Sequence, residues 1–380
     1  MKTLLLENVT AILPNQKLLN ANILIENGRI AEISTAKITA DETINFNNQT
    51  LFAGFIDVHI HGAIGVDVNE ADTESLQKVA AYLAKNGTTA WLPTFVPDSA
   101  ETYKKVIGSI DELMRIQTDL PIAQAVGVHY EGVFANEKMC GALRPQFFKT
   151  FTGNELDELP RLENGVHFTT FAPEVSGGIE LVKELVKQNW VASIGHTNAD
   201  IATLEAACKF GAKHITHFYN AMSGLHHRNI GAVGWAFGRD DVTCDIIADG
   251  IHVHPKMLEL ACKIKTSNNI SLISDAISAA GLGDGDYEIW DEKISVVNGK
   301  TQNERGSIAG SVITLIDAVK TMLSIGINEV EVSRMASFNP AKLLKIEQDF
   351  GSIEIGKRAD FVVLDDNYNV VSSIVGGKVV

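Results

Sequence analysis

Two textures of apolar and polar positions divide this chain. Residues 1 to about 51 alternate short apolar runs with turn residues, as in LLLENVTAIL and ANILIENGRIAEIS, the period-two pattern of short antiparallel strands. The final stretch, GSIEIGKRADFVVLDDNYNVVSSIVGGKVV, has the same texture. Both ends are therefore expected to pair into one small β module, residues 1–51 together with 347–380. Over 52–346 the pattern becomes strand, loop and helix, repeated. The runs FIDVHI, TTAWLPT, AQAVGVHY, VHFTTFA, VASIGH, HITHFYN, VTCDIIAD and ISLISDA each read as a buried parallel strand. Segments such as TESLQKVAAYLAKNG and ITLIDAVKTMLSIG carry apolar residues at helical spacing with Gly near their ends,. Eight alternating strands favour a closed (β/α)8 barrel, with a doubly wound open sheet as the rival.

Composition narrows the partners. The chain has 380 residues, 45% hydrophobic and 21% charged, which suits a soluble globular protein with a large core. Lys and Arg total 32 against 47 Asp and Glu, a net charge of −15, so the overall field repels nucleic acid and anionic lipid. Any anionic substrate must meet a local cluster of donors. Cys140, Cys208, Cys244 and Cys262 are widely spaced, which indicates neither a zinc ribbon nor a disulfide framework. The start, MKTLLLENVT, is too short an apolar run for a signal peptide, and no stretch is long and uncharged enough to span a bilayer,. The chain reads as cytoplasmic.

Several residues able to do chemistry end different apolar runs. His59 and His61 form an HxH at the end of the first, where strand alternation puts both imidazoles on one face,. Eleven histidines in 380 residues give roughly 0.3 such pairs by chance,, and a second pair, His252 and His254, lies in a loop before Pro255. Position therefore carries more weight than spacing. Glu131, His196, His217 and Asp275 end the third, fifth, sixth and eighth runs. Each alone suits a hydrogen-bonded polar residue at a strand end. Together, at the strand ends of a barrel, they suit a divalent metal site.

That set fits amide hydrolysis. A divalent ion lowers the pKa of water to near 7 and polarises a carbonyl, and one carboxylate can move the proton from water to the departing nitrogen. Asp275 is assigned that role, and Glu131 suits a ligand bridging two ions. The stretch YNAMSGLHHRNIG offers Asn220, the Ala221 backbone, His226, His227 and Arg228 as anion donors, against the plainer reading of a solvated basic loop,. His252 is placed to face the same ligand. Gly310 and Ser311 are expected at the start of a helix, where backbone N–H groups favour oxygen-rich ligands, although an ordinary N-cap explains Ser311 equally well. The glycine-rich GLGDGDYEIW fits no nucleotide fingerprint and is expected to be a loop,.

The ordered motifs GFIDVHIHG, HYEGVF, SIGHTNA, THFYNAMSGLHHR, ADGIHVHP, SDAISAAGL, SIAGS and GKRADFVVLD cover nearly the whole chain. In that order they resemble the N-acetylglucosamine-6-phosphate deacetylases of the amidohydrolase superfamily. The resemblance implies a barrel with a small β-sandwich from both termini, a homodimer, and hydrolysis of the acetamide to acetate and glucosamine 6-phosphate. It makes Glu131, His196 and His217 the core metal ligands and Asp275 the general base and acid. His59 and His61 suggest the variety able to hold a second ion; zinc and iron suit these donors alike. Substrate contacts would be Ala142, Asn220, Ala221, Arg228, His252, Ile308, Ala309, Gly310 and Ser311, with Arg228 reaching the phosphate across the dimer interface.

The chain departs from that pattern at Val133, where relatives have proline, at Leu143 after Gly141 and Ala142, and at Asn229 and Ile230 after Arg228. These changes fall on loops around the sugar, so the galactosamine epimer is a rival substrate. A non-catalytic sugar-phosphate binder and a hydrolase of N-acyl amino acids or cyclic amides are the rivals from further away.

Overall fold

The computed structural model describes residues 2–380. The central strands are β1 (Phe55–Ile60), β2 (Thr88–Phe95), β3 (Gly127–Phe134), β4 (Val166–Phe171), β5 (Val191–Ile194), β6 (His214–Ile215), β7 (Thr243–Ile247) and β8 (Ile270–Ile273). They pair in that order, all parallel. The last closes on the first, because Asp275 N–H donates to His59 O at 2.9 Å and His61 N–H to Ala276 O at 2.8 Å. The result is a (β/α)8 barrel, and closure leaves no sheet edge exposed. The open-sheet alternative is excluded by those closing bonds.

Helices pack outside the barrel for reasons visible in their residues. The helix Thr73–Lys85 starts where Asp72 accepts the N–H of Ser75, and buries Leu76, Val79, Ala80 and Leu83 at helical spacing,. The terminal strands form a separate eight-stranded sheet that takes in Thr3–Ile12, Lys17–Glu26 and Thr50–Ala53 from the start of the chain and Phe361–Leu364 and Val370–Val375 from its end. Its own core includes Leu6, Val9, Ile23, Phe361, Val363 and Ile374. Thr50–Ala53 pairs antiparallel with Phe361–Leu364 and runs directly into β1, so the termini close on each other beside the barrel.

One expectation is corrected. The segment GLGDGDYEIW is not a loop throughout: Gly285–Ile289, Glu292–Val297 and Lys300–Asn303 form a three-stranded antiparallel flap. Ile289, Ile294 and Val296 bury against Ile277, Ala279 and Ala309. The glycines and aspartates at its start hide this alternation in the sequence, because the first strand packs inward only through Tyr287 and Ile289,.

Among the described residues no helix is long and apolar enough to cross a membrane. All four cysteines are free thiols.

Candidate active site

The six polar side chains that end the apolar runs converge on one mouth of the barrel. His59, His61 and Asp275 form one group able to hold a cation, and Glu131, His196 and His217 another, with the ligand atoms of each group within 4.8 Å of one another. Glu131 lies between them: Oε1 is 3.0 Å from Nε2 of both His196 and His217, and Oε2 is 3.2 Å from Nε2 of His61. Asp275 Oδ1 is 3.4 Å from His59 Nε2 and 3.3 Å from His61 Nε2. His196, His217 and Asp275 have φ of +47°, +33° and +50°. The strands thus break into left-handed geometry at the ligands, a conformation that costs L-residues about 1 kcal/mol or more and gathers at functional sites. Each of the three lies just past the end of β5, β6 or β8.

The donor chemistry fits a divalent metal. Nδ1–H of His196 donates to the carbonyl of Met139 at 2.7 Å, and Nδ1–H of His61 to the carbonyl of Thr94 at 3.2 Å. A carbonyl can only accept, so a neutral ring presents a bare lone pair at Nε2. Those lone pairs face carboxylate oxygens, and Nε2 of His196 also faces Nε2 of His217 at 3.0 Å. Acceptors this close require positive charge between them. Without a metal, the same carboxylates draw a proton onto the rings instead. Burial opposes a charge on His61, but Asp275 and Glu131 outweigh it and push its pKa up to about 10. Burial favours neutral Glu131 and Asp275, but the imidazoles, His59 foremost, hold both below the ordinary carboxylate range.

A second layer fixes these groups. Asp57 Oδ1 accepts the N–H groups of His59 and Ser274, each at 3.3 Å, tying β1 to β8. Asp245, fully buried on β7, accepts the N–H of His217 and, through Oδ2, Nε2 of His214 at 3.1 Å. His252 donates Nδ1–H to Asp249 at 2.6 Å, which leaves Nε2 free to accept from a ligand. Gly310 is at φ +56°, and a Cβ there would stand 2.8 Å from the carbonyl oxygen of Asp275, so no side chain fits beside the proposed base.

The cluster opens into a cavity of about 300 Å³ lined by Gly141, Ala142, Leu143, Asn220, Ala221, His252, Trp290, Ser307, Ile308 and Gly310 together with His61, Glu131, His196, His217 and Asp275. Two residues expected to touch substrate lie elsewhere. Ala309 is buried in the flap's core. Ser311 donates its hydroxyl to Ser274 O and its N–H to Asp275 O at 2.7 Å, supporting the Asp275 backbone. Arg228, expected to act across a dimer interface, is exposed beside His227 and outside the cavity lining of its own copy. Nor do Gly310 and Ser311 begin a helix, which starts at Leu315 with a capping box between Thr314 and Asp317.

Sequence reasoning missed Trp290, Asp245 and Asp57. For the two aspartates the available signal was an ionisable residue inside an apolar strand. For Trp290 there was none, since the flap was not foreseen.

Comparison with known proteins agrees with this geometry. The amidohydrolase family profile matches residues 50–380. The N-acetylglucosamine-6-phosphate deacetylase of Bacillus subtilis (strain 168) is 31% identical, covering 100% of this chain and 97% of the relative. The N-acetylgalactosamine-6-phosphate deacetylase of Escherichia coli O157:H7 is 33% identical, covering 93% of each. The crystal structure of N-acetylglucosamine-6-phosphate deacetylase from Pasteurella multocida superposes with a TM-score of 0.92 at 26% identity, covering 100% of this chain and 99% of that one.

Proposed function

This chain belongs to the amidohydrolase family, and from that membership we propose that it hydrolyses the acetamide of N-acetyl-D-glucosamine 6-phosphate to D-glucosamine 6-phosphate and acetate. The observation that carries the reading is the ring of acceptor atoms around Glu131, with Asp275 at its edge and a cavity of about 300 Å³ above it.

Glu131, His196 and His217 would hold one divalent ion, zinc or iron by their donor chemistry, and His59 and His61 a second. A divalent ion supplies Lewis acidity toward the amide carbonyl and toward water. The remaining work belongs to side chains. Asp275 takes a proton from the water that attacks the acetyl carbon, and delivers it to the nitrogen as the C–N bond breaks. Its backbone is gripped by His59 O and by the N–H of Ser311, which keeps the carboxylate aimed. His252 accepts a sugar hydroxyl at Nε2, and Asn220 with the Ala221 backbone offers neutral donors to the phosphate.

No Lys or Arg lines the cavity, whereas a phosphate calls for a cation. We assign the phosphate's cation to Arg228 of a second copy of this chain, as the resemblance to the deacetylases implies, in a homodimer, with residues 52–346 as the catalytic unit and 1–51 with 347–380 as the small β module. Phosphorylated substrate and free thiols favour a cytoplasmic setting.

The galactosamine epimer is the second reading. It is favoured by the relative of that activity and by the departures at Val133, which is buried, and Leu143, which lines the cavity. The deciding experiment measures acetate release by metal-loaded protein from both sugar phosphates and their unphosphorylated forms. The glucosamine phosphate is expected to have the highest kcat/KM. Absence of acetate from it overturns the reading, and a higher efficiency on the epimer replaces it with the second.

A further inference from the structure

The flap gives the cavity a wall that the chemistry above does not use. Trp290 sits at the tip of the hairpin between Gly285–Ile289 and Glu292–Val297, with φ of +56°, followed by Asp291 at +63°. Two consecutive left-handed residues are the mark of a turn that usually takes Asn and Gly. A tryptophan there sits in a conformation its side chain disfavours, and such outliers persist where the surroundings enforce them. Here the surroundings do. The indole N–H donates to Asp67 at 2.8 Å, and Asp291 faces Arg144 at 3.6 Å.

The held ring meets the His61 imidazole edge-on, with centroids 5.4 Å apart. It packs on the cluster of Val96, Ala135 and Leu143 and also on the flap's own core around Ile289 and Ile294, against which Ala142 packs as well. The cavity therefore has an apolar wall of Ala142, Leu143 and Trp290, and a polar one that includes Asn220 and His252. A substrate with its amide carbonyl over His61, Glu131 and Asp275 has one apolar group, the alkyl chain of the acyl unit, bonded directly to that carbon. The sugar and phosphate need the polar wall, so the alkyl chain faces the indole.

We propose that Trp290, backed by Leu143, is the specificity-determining wall for the acyl group and confines the enzyme to short N-acyl chains. This rests on the deacetylase reading. Trp290→Gly tests it without straining the turn, because the positive φ suits glycine. The substrates are N-acetyl-, N-propanoyl- and N-butanoylglucosamine 6-phosphate, compared by kcat/KM. One methylene in a tight apolar pocket is worth roughly 10- to 200-fold, so the wild type should prefer acetyl over butanoyl by at least about tenfold per carbon. In the Gly variant that preference should fall at least about tenfold. Trp290→Phe, which keeps a ring in place, should retain most of it.

Failure to release acetate from the N-acetyl compound by the wild type would defeat the functional reading and this wall with it. Acetate release with an unchanged preference in the Gly variant, no acetyl preference in the wild type, or a Phe variant as permissive as the Gly one would defeat the wall alone.

Discussion

Asp245 holds His217 by its backbone: one carboxylate oxygen takes the N–H of His217 while the other takes the His214 ring at 3.1 Å. The contact keeps His217 at φ +33° with its ring turned onto Glu131. Partners behind a ligand commonly change metal affinity or activity 10- to 100-fold. Asp245→Ala is expected to weaken metal binding by about that factor, measured by competition with a chelator. Unchanged affinity would show that the turn holds its shape unaided.

Glu131 is the carboxylate shared by both groups of ligands. Glu131→Gln removes the charge that the imidazoles gather around. Purified protein should then carry less than half the wild-type metal by elemental analysis and release little acetate. In the wild type, chelation should abolish activity and lower Tm, because a ligand bound only to the folded state stabilises it. Restoring zinc and iron(II) separately to the chelated protein identifies the more effective ion.

Asp275→Asn keeps the side chain's shape and removes its capacity to accept a proton. A proton-transfer group typically contributes 10²- to 10⁴-fold, so kcat should fall by about that much while the affinity for substrate, read by calorimetry, changes little. An equal loss in binding would assign Asp275 to holding ligand rather than moving protons.

Arg228→Ala should raise KM for the sugar phosphate by roughly tenfold or more, the worth of a charge-assisted contact, and leave the unphosphorylated sugar unaffected. Sedimentation should find the protein dimeric. A monomer with full activity on the phosphate would remove Arg228 from the site.

His167 offers a pH test away from the metal ligands. Its Nε2 accepts the N–H of Leu162 at 3.0 Å, and burial, helped by the charge of Arg161, lowers its pKa to about 4. The unfolded value is near 6.5. With the folded pKa depressed, the contribution to stability is complete above about pH 6.5 and is lost as pH falls through about 4. His167→Gln, still able to accept from Leu162, should lose less stability between pH 7.5 and pH 5, by on the order of 1–2 kcal/mol in denaturant titrations.

The barrel was legible because each of its strands is a compact apolar run, and runs buried on both faces are what a parallel sheet requires. The side chains gathered at the barrel mouth were legible too, since imidazoles and carboxylates are costly at the ends of buried strands unless they are paired there. The flap was not, because its first strand is exposed at three of five positions and packs inward only through Tyr287 and Ile289. Asp245 showed only as a charge in an apolar strand, and its partners come from the neighbouring β6.

The order of motifs along the chain settled the kind of fold and the kinds of atom available for chemistry, since both follow from local periodicity and residue type. Which of those atoms face one another is a different matter. That His196 turns a lone pair onto Glu131, that Ser311 supports the Asp275 backbone while Arg228 stands outside, and that Trp290 walls the cavity all depend on closure of β8 onto β1 and on left-handed turns at the strand ends. Those contacts join residues far apart in the chain, and only packing in three dimensions fixes their directions.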